Sequence, residues 1–403
     1  MGRTRAIAAL AALPLLLAAC GGGGGSATKS DSGTLRVLDY YNSDPNKTLW
    51  GTALTDCGTK VGMKIERESV PGETLIQKVL QQSSSKTLPD VLMLDNPDVQ
   101  QIAASGALAP LDDLGVDPSG VADGVIKAST YQGKLYALQP VTNTIALFYN
   151  KKILEAAGIT PPTTWDELKT DAKALTAGSQ YGFAMSNVNT YEGTWQFLPF
   201  MWSNGGDEKD INTPQTAAAL QLVKDLLDQG SLSQSTVTWT QADVADQFSA
   251  GNAAMMINGP WNFGTLDKVE GLEYGIVPIP APTAGGTVVS PFGGEAWAAP
   301  ETGDKDKQKK AAELIQCLNS DENEVTISAG TGTVPTKPEL SSQVVAKNPN
   351  LEAFATQVPD LRARTGELGE GWPKAATKIY TAVQNALVGG MTPEAALAQA
   401  QNG

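Results

Sequence analysis

Residues 249–261 read "SAGNAAMMINGPW", a small-residue apolar run that passes through an Asn-Gly-Pro turn into an indole ring. The segment 253–257 is short and apolar at every position, the pattern of a strand buried on both faces. Gly259 and Pro260 end it, so Trp261 falls in a loop at the strand's carboxyl end. In α/β sheets ligands gather beyond the carboxyl ends of strands. A ring at that place suits a ligand platform; its competing role is to cap the core from the loop.

Outward from this stretch the chain alternates strand and helix signals. "LRVLD" (35–39) is a strand-type run, residues 49–59 read as a helix, and "MKIERESV" (63–70) alternates as a second strand. "TLIQKVLQQ" (74–82) puts Leu75, Ile76, Val79 and Leu80 on one helical face. Residues 91–94 form a buried strand, and "DVQQIAASGALAPL" (98–111) a helix stopped at Gly106. A second alternating unit follows "IALFYNKKILEAAGI" (145–159). Its helix at 163–175 opens with Thr164 and Glu167 at capping-box spacing, and "PQTAAALQLVKDLLDQG" (214–230) is amphipathic with Gly230 as its stop. This βαβ rhythm predicts an α/β fold with parallel sheets covered by helices. The strand ends carry Tyr40, Tyr41 and Asn42 with Asp44, and Asp95 and Asn96 with Asp98.

Composition narrows the function. The chain of 403 residues carries a formal charge of −14, which argues against nucleic acid as a partner. It contains no histidine, removing histidine-based triads, histidine zinc sites and histidine acid–base chemistry. Among enzymes this leaves mainly a carboxylate-pair glycosidase. No catalytic residue, metal site or cofactor is assigned. Eight tryptophans are present, and an exposed indole is costly unless it binds something; the C–H face of a pyranose stacks on such a ring while its hydroxyls need Asp, Asn, Glu and Arg partners. Trp165, Trp50 and Trp202 are assigned to packing.

At the amino end, Arg3 and Arg5 precede an apolar stretch at 6–17 that is too short to span a membrane and suits a signal segment. Leu17-Ala18-Ala19-Cys20 resembles the bacterial lipobox, in which the cysteine carries a diacylglyceryl group after cleavage; an ordinary signal peptide with a chance cysteine is the bland alternative. Residues 1–19 are read as the leader and 20–33 as a lipidated cysteine with a flexible Gly/Ser tether reaching about 20 Å. Two acyl chains anchor a protein stably. The remaining cysteines, Cys57 and Cys317, lie in an oxidising compartment, where a disulfide between them is favoured over two separately buried thiols. The 370 residues after the tether exceed one usual core and predict two lobes.

Several blocks resemble the bacterial carbohydrate-binding proteins of ABC transporters, the maltose-binding-protein-like family. In "SAGNAAMMINGPW" the matching positions are Phe248, just ahead of it, Gly251, Ala254, Met255 and Asn258 to Trp261. "PDVLMLDNPDVQQIAASGALAPLDD" (89–113), "GKLYALQPVTNTIALFYNKKILEAAGITPPTTWDEL" (133–168), "FMWSNGG" (200–206) and "MTPEAALAQAQ" (391–401) are similar to family blocks in the family's order. The resemblance implies a two-lobed class II periplasmic-binding-protein-like fold whose chain crosses three times between lobes, near Thr144, Ser290 and Pro338, with a ligand cleft between them. The lobes would be 34–144 plus 291–338 and 145–290 plus 339–403, and both Cys57 and Cys317 would fall in the first. It further implies stacking by Trp261, Trp195 and Trp372; hydroxyl contacts from Asp95, Asn96 and Asp98; and a ligand contact at Glu295, with Trp297 a weaker candidate. Tyr41 and Asp44 join them from the first strand end. Arg364 either forks onto a hydroxyl pair or makes a surface ion pair. Asn143 stands where the family has a glutamate, which points away from a maltose-type hydroxyl pattern. The expected function is a monomeric receptor, lipid-anchored at the extracytoplasmic face of the cell membrane, that passes a carbohydrate to ABC permease subunits. A secreted glycosidase and a receptor for another polar solute are the rival readings.

Overall fold

The computed structural model describes residues 33–365 and 368–403; the leader, Cys20 and the tether as far as Ser32 lie outside the described residues. In chain order the strands that matter are β1 (Thr34–Asp39), β2 (Lys64–Ser69), β3 (Val91–Asp95), β4 (Ala137–Leu138), β5 (Val141–Thr142), β6 (Ala146–Asn150), β7 (Tyr181–Ala184), β8 (Ala253–Asn258), β9 (Tyr274–Val277), β10 (Glu295–Ala298) and β11 (Val334–Pro335). They build a five-stranded sheet of order β2-β1-β3-β10-β4, a four-stranded sheet of order β9-β6-β8-β7, and the pair β11-β5. The apolar runs become interior strands: β8 is buried at all its residues and β3 at all but Asp95. The alternating run becomes β2, an edge strand half open to solvent.

The helices that cover these sheets include α1 (Asn46–Lys60), α2 (Gly72–Ser85), α3 (Trp165–Leu175), α4 (Tyr191–Ser203), α5 (Pro214–Asp228), α6 (Gln241–Ser249), α7 (Lys305–Leu318), α8 (Asp321–Thr331) and α9 (Trp372–Leu387). At the start of α3 the Thr164 hydroxyl accepts the Glu167 N–H and the Glu167 carboxylate accepts the Thr164 N–H, the reciprocal box the spacing predicts. Leu220, Val223, Leu226 and Leu227 of α5 all lie in the second sheet's core. Cys57 of α1 and Cys317 of α7 are joined, with Cα atoms 5.7 Å apart, and both pack on the core of the first sheet.

The expectation of parallel sheets needs correction, because both sheets are mixed. β10 runs antiparallel to β3 and β4, and β6 runs antiparallel to β8 and β9. A parallel strand must be reached through a crossover helix, whereas β6 and β10 are entered directly from segments that cross between the sheets. Those segments lie side by side. β5 pairs with β11, Asn143 bridges Gly293, and Pro291 bridges Arg362. Side chains tie them further: Gln139 Nε2 and Thr142 Oγ1 both donate to Gly293 O at 2.8 and 2.9 Å, and Thr144 Oγ1 donates to Pro291 O at 2.7 Å. Reversed strand direction places the beginnings of β6 and β10 at the same edges as the ends of their parallel neighbours.

Candidate functional site

At the first sheet's edge three side chains converge for that reason. Tyr40 follows β1 and Asp95 ends β3, while Glu295 begins β10 as the register partner of Asp95. The hydroxyls of Tyr40 and Tyr41 donate one to each oxygen of the Glu295 carboxylate. Burial pushes that carboxyl up, against the two tyrosine hydrogen bonds. Burial and the neighbouring Glu295 charge lift both phenols well above the ordinary tyrosine value. Both tyrosines therefore stay neutral and hold Glu295 in one orientation. Beneath them Tyr41 stacks on Trp50 at 5.2 Å, and Trp50 meets Trp297 at 5.4 Å.

The facing wall is built on α4 and on the turn after β8. Tyr191 and Trp195 are four residues apart and so share one side of α4. Glu192 Oε2 accepts the Gln241 N–H at 2.9 Å, joining α4 to the start of α6. Asn258 donates to Gln241 O at 2.8 Å and accepts the Gly259 N–H at 3.0 Å, which fixes the turn. A Cβ on Gly259 would lie 2.0 Å from the Trp261 ring. The indole thus folds back over Gly259, where a side chain would push the ring aside, and it stays 40% exposed. Gly293 has a similar role, since a Cβ there would lie 2.3 Å from Asn143 Oδ1 and 2.9 Å from the Trp195 ring.

Arg364 closes the gap between the walls. The chain at Pro291's bridge to Arg362 carries two arginines two residues apart, the second in the turn that follows. Arg362 sits 4.6 Å over Trp202 and Arg364 4.6 Å over Trp195, two tryptophans on the same side of α4. Arg362 bonds Asp207 and Glu208. Arg364, only 6% exposed, donates from Nη2 to Asp95 Oδ1 at 3.0 Å, so its guanidinium joins a first-sheet carboxylate to an indole of the other wall.

The cleft so formed has two adjoining parts that share Tyr40, Asp95 and Tyr191. One, about 210 Å³, is lined by Asn143, Trp195, Trp261, Glu295 and Arg364 among others. The wider part, about 640 Å³, is lined by Leu75, Ile76, Asp98 and Gln101. Burial, and then the charge of Asp95, push the half-buried Asp98 carboxyl from 3.8 up to about 7. Between those values the folded chain holds a proton that the unfolded chain has lost. Stability from this group is therefore complete below pH ~4 and declines as pH rises towards 7. At about 1.4 kcal/mol per unit the penalty would be about 4 kcal/mol, and solvent screening brings it down to on the order of 3 kcal/mol. Asp98→Asn is expected to melt several degrees above wild type at pH 8 and level with it at pH 4. Equal melting at both pH values would mean that the carboxyl titrates at its ordinary value.

The cleft brings together Asp95, Asn143, Trp195, Trp261, Glu295 and Arg364 from six separate stretches of chain. Other expected contacts are not there. Trp372 is 1% exposed, because α9 turns it inward with Ala376 and Ile379, one and two turns further along. Trp297 is fully buried in the first sheet's core. Asn96 is also fully buried; its amide donates to Gly294 O at 3.1 Å, pinning the start of β10. Asp44 is exposed and accepts the Thr48 N–H at 3.2 Å, capping the first turn of α1. Tyr41 stands behind Glu295 rather than on the cleft. Tyr40, placed at a strand end by the sequence without a contact role, lines the cleft; Tyr191, Glu192 and Gln241 of the narrower part are the residues not anticipated. Tyr191 had one usable signal, its spacing of four from Trp195. Among the described residues no group of three or more His, Cys, Asp or Glu could hold a metal ion, and no helix is long and apolar enough to cross a membrane.

Comparison with known proteins gives the family and the fold. A family model for bacterial extracellular solute-binding proteins matches residues 52–353. A binding protein of Brucella abortus is 28% identical over 352 residues, 84% of either chain. The maltotriose-binding protein of Pyrococcus abyssi is 25% identical over 298 residues, 70% of this chain and 63% of that one. The cyclic alpha-maltosyl-1,6-maltose binding protein of Arthrobacter globiformis has the same fold, with TM-score 0.79 at 24% identity, over 92% of this chain and 97% of that chain.

Proposed function

Because this chain belongs to the bacterial extracellular solute-binding protein family, we propose that it captures a carbohydrate outside the membrane and delivers it to an ABC permease, held on the surface by lipidated Cys20. The two sheets centre lobes made of 34–144 plus 291–338 and 145–290 plus 339–403. One lobe binds first and the other closes over the sugar. The observation that carries this reading is the exposed Trp261 ring on one wall of a cleft whose opposite wall presents Asp95 and Glu295 as fixed acceptors. Ring face and hydroxyl-binding edge are the two recognition elements a pyranose requires. The sugar leaves as it arrived, without hydrolysis. The maltotriose and cyclic maltosyl-maltose ligands of the relatives support an oligosaccharide.

A thermal-shift screen of the full chain against mono-, di- and trisaccharides tests this. A ligand at 100-fold excess over its Kd adds about 2.7 kcal/mol. Trp261→Ala removes a ring worth on the order of 1 kcal/mol beyond its buried area. Its affinity for the best ligand should fall at least about tenfold. Equal stabilisation of the Trp261→Ala variant and wild type would remove Trp261 from the binding wall, and no shift with any sugar would end the carbohydrate reading.

A further inference from the structure

The charges on the cleft are unequal. Among the described residues its lining holds four carboxyl groups, Asp95, Asp98, Glu192 and Glu295, and a single cation, Arg364. Three of the four are engaged by the protein. Asp95 takes the Arg364 Nη2 donor, Glu192 takes the Gln241 N–H, and Glu295 takes two tyrosine hydroxyls. The Asp98 carboxyl has no such partner among the described residues, and it stands in the wider part of the cleft beside Tyr191 and Tyr40. Two donors on side chains that line the narrower part are also without acceptors among the described residues, Trp195 Nε1 and Arg364 Nε, both on side chains more than nine-tenths buried.

We propose that the carbohydrate taken by this cleft carries a protonated amine, seated against Asp98 in the part of the cleft that Tyr40 and Tyr191 also line, while its oxygens meet Trp195 and Arg364. This rests on the carbohydrate reading and narrows it to amino sugars or amine-bearing oligosaccharides. A phosphate, sulfate or carboxylate would face three carboxylates with no cation left over. A fully neutral sugar leaves Asp98 without a counter-charge. An ammonium group supplies it, and its N–H donors make charge-assisted hydrogen bonds to the carboxylate. Burial has already pushed the Asp98 carboxyl up to about 7, as expected of an acid whose partner is missing. The ammonium must shed its own water to enter, so the gain is far below the bare Coulomb energy.

Isothermal titration of the full chain with matched sugars decides the point: glucosamine against glucose, galactosamine against galactose, and the glucosamine β-1,4 disaccharide against cellobiose. The expected result is that the amine member of at least one pair binds about tenfold tighter than its hydroxyl partner. In Asp98→Asn that ratio should fall towards one. A melting curve at pH 8, where this variant is expected to gain stability, shows that it is folded. The proposal is overturned if every hydroxyl sugar binds as tightly as its amine partner, or if the ratio survives in Asp98→Asn. Binding of neutral sugars without amines would end this inference and leave the carbohydrate reading standing; binding of neither would end both.

Discussion

Arg364→Met is expected to weaken the best ligand roughly 100-fold while costing little stability, and Arg362→Met is expected to do the reverse. The two arginines occupy equivalent seats, each 4.6 Å over a tryptophan of α4, so the contrast isolates what the cleft adds. Methionine keeps most of the aliphatic bulk over the indole and removes the charge. At Arg364 the abandoned partner is Asp95, whose side chain is 41% exposed. Water compensates it, and the stability cost is about 1 kcal/mol. Ligand binding suffers more: the cleft loses the one cation among its described lining residues and its charge-assisted donors, worth about 1.5–3 kcal/mol. At Arg362 the abandoned partners are Asp207, whose side chain is 40% exposed, and Glu208, whose side chain is fully buried and keeps the Trp202 indole N–H at 2.8 Å. Leaving a buried charge uncompensated costs about 3 kcal/mol or more. Titration calorimetry and melting curves on both variants read the two effects. If Arg364→Met binds within about threefold of wild type, the arginine is only a brace between the walls.

That pairing also marks how far the sequence can be read. Residues 249–261 announce a buried strand, a turn and a ring at its end, because each step is local: an apolar run, an Asn-Gly-Pro break, one large side chain. The capping box at Thr164 and Glu167 is legible for the same reason. Tyr40 and Tyr41 are not separable this way, since neighbouring residues at a strand end point to opposite sides, and only the packing of Trp50 decides which one goes inward. Trp372 and Trp297 carry the residue type of a sugar platform, yet their burial depends on which face α9 and β10 turn to the core. Asn96, polar and next to Asp95, is taken by a carbonyl nearly 200 positions away. The direction of β6 and β10 is likewise non-local, set by crossing segments that meet only in the folded chain. The sequence thus locates much of the cleft's chemistry, while long-range contacts select which side chains face it.

Removing the Cys57–Cys317 bridge is expected to lower stability by about 5–6 kcal/mol and to leave ligand affinity within about twofold. The bridge spans 260 residues of sequence. A cross-link of that length removes a large share of the unfolded chain's freedom, and the chain-entropy account gives roughly that figure. Affinity should hold because Cys57, fully buried in α1, and Cys317, in α7, pack on the core of the same sheet. Both fall in the lobe proposed as 34–144 plus 291–338, so the bridge braces that lobe and leaves movement between lobes free. The double variant Cys57→Ala, Cys317→Ala serves better than reductant alone, since serine would leave a hydroxyl in a dry site with one known neighbour, the Asn323 amide at 3.3 Å. Melting curves with and without reductant should separate wild type from the double variant only when reductant is absent. An affinity loss above tenfold with melting unchanged would contradict this argument, because it would require the bridge to hold the cleft rather than the lobe.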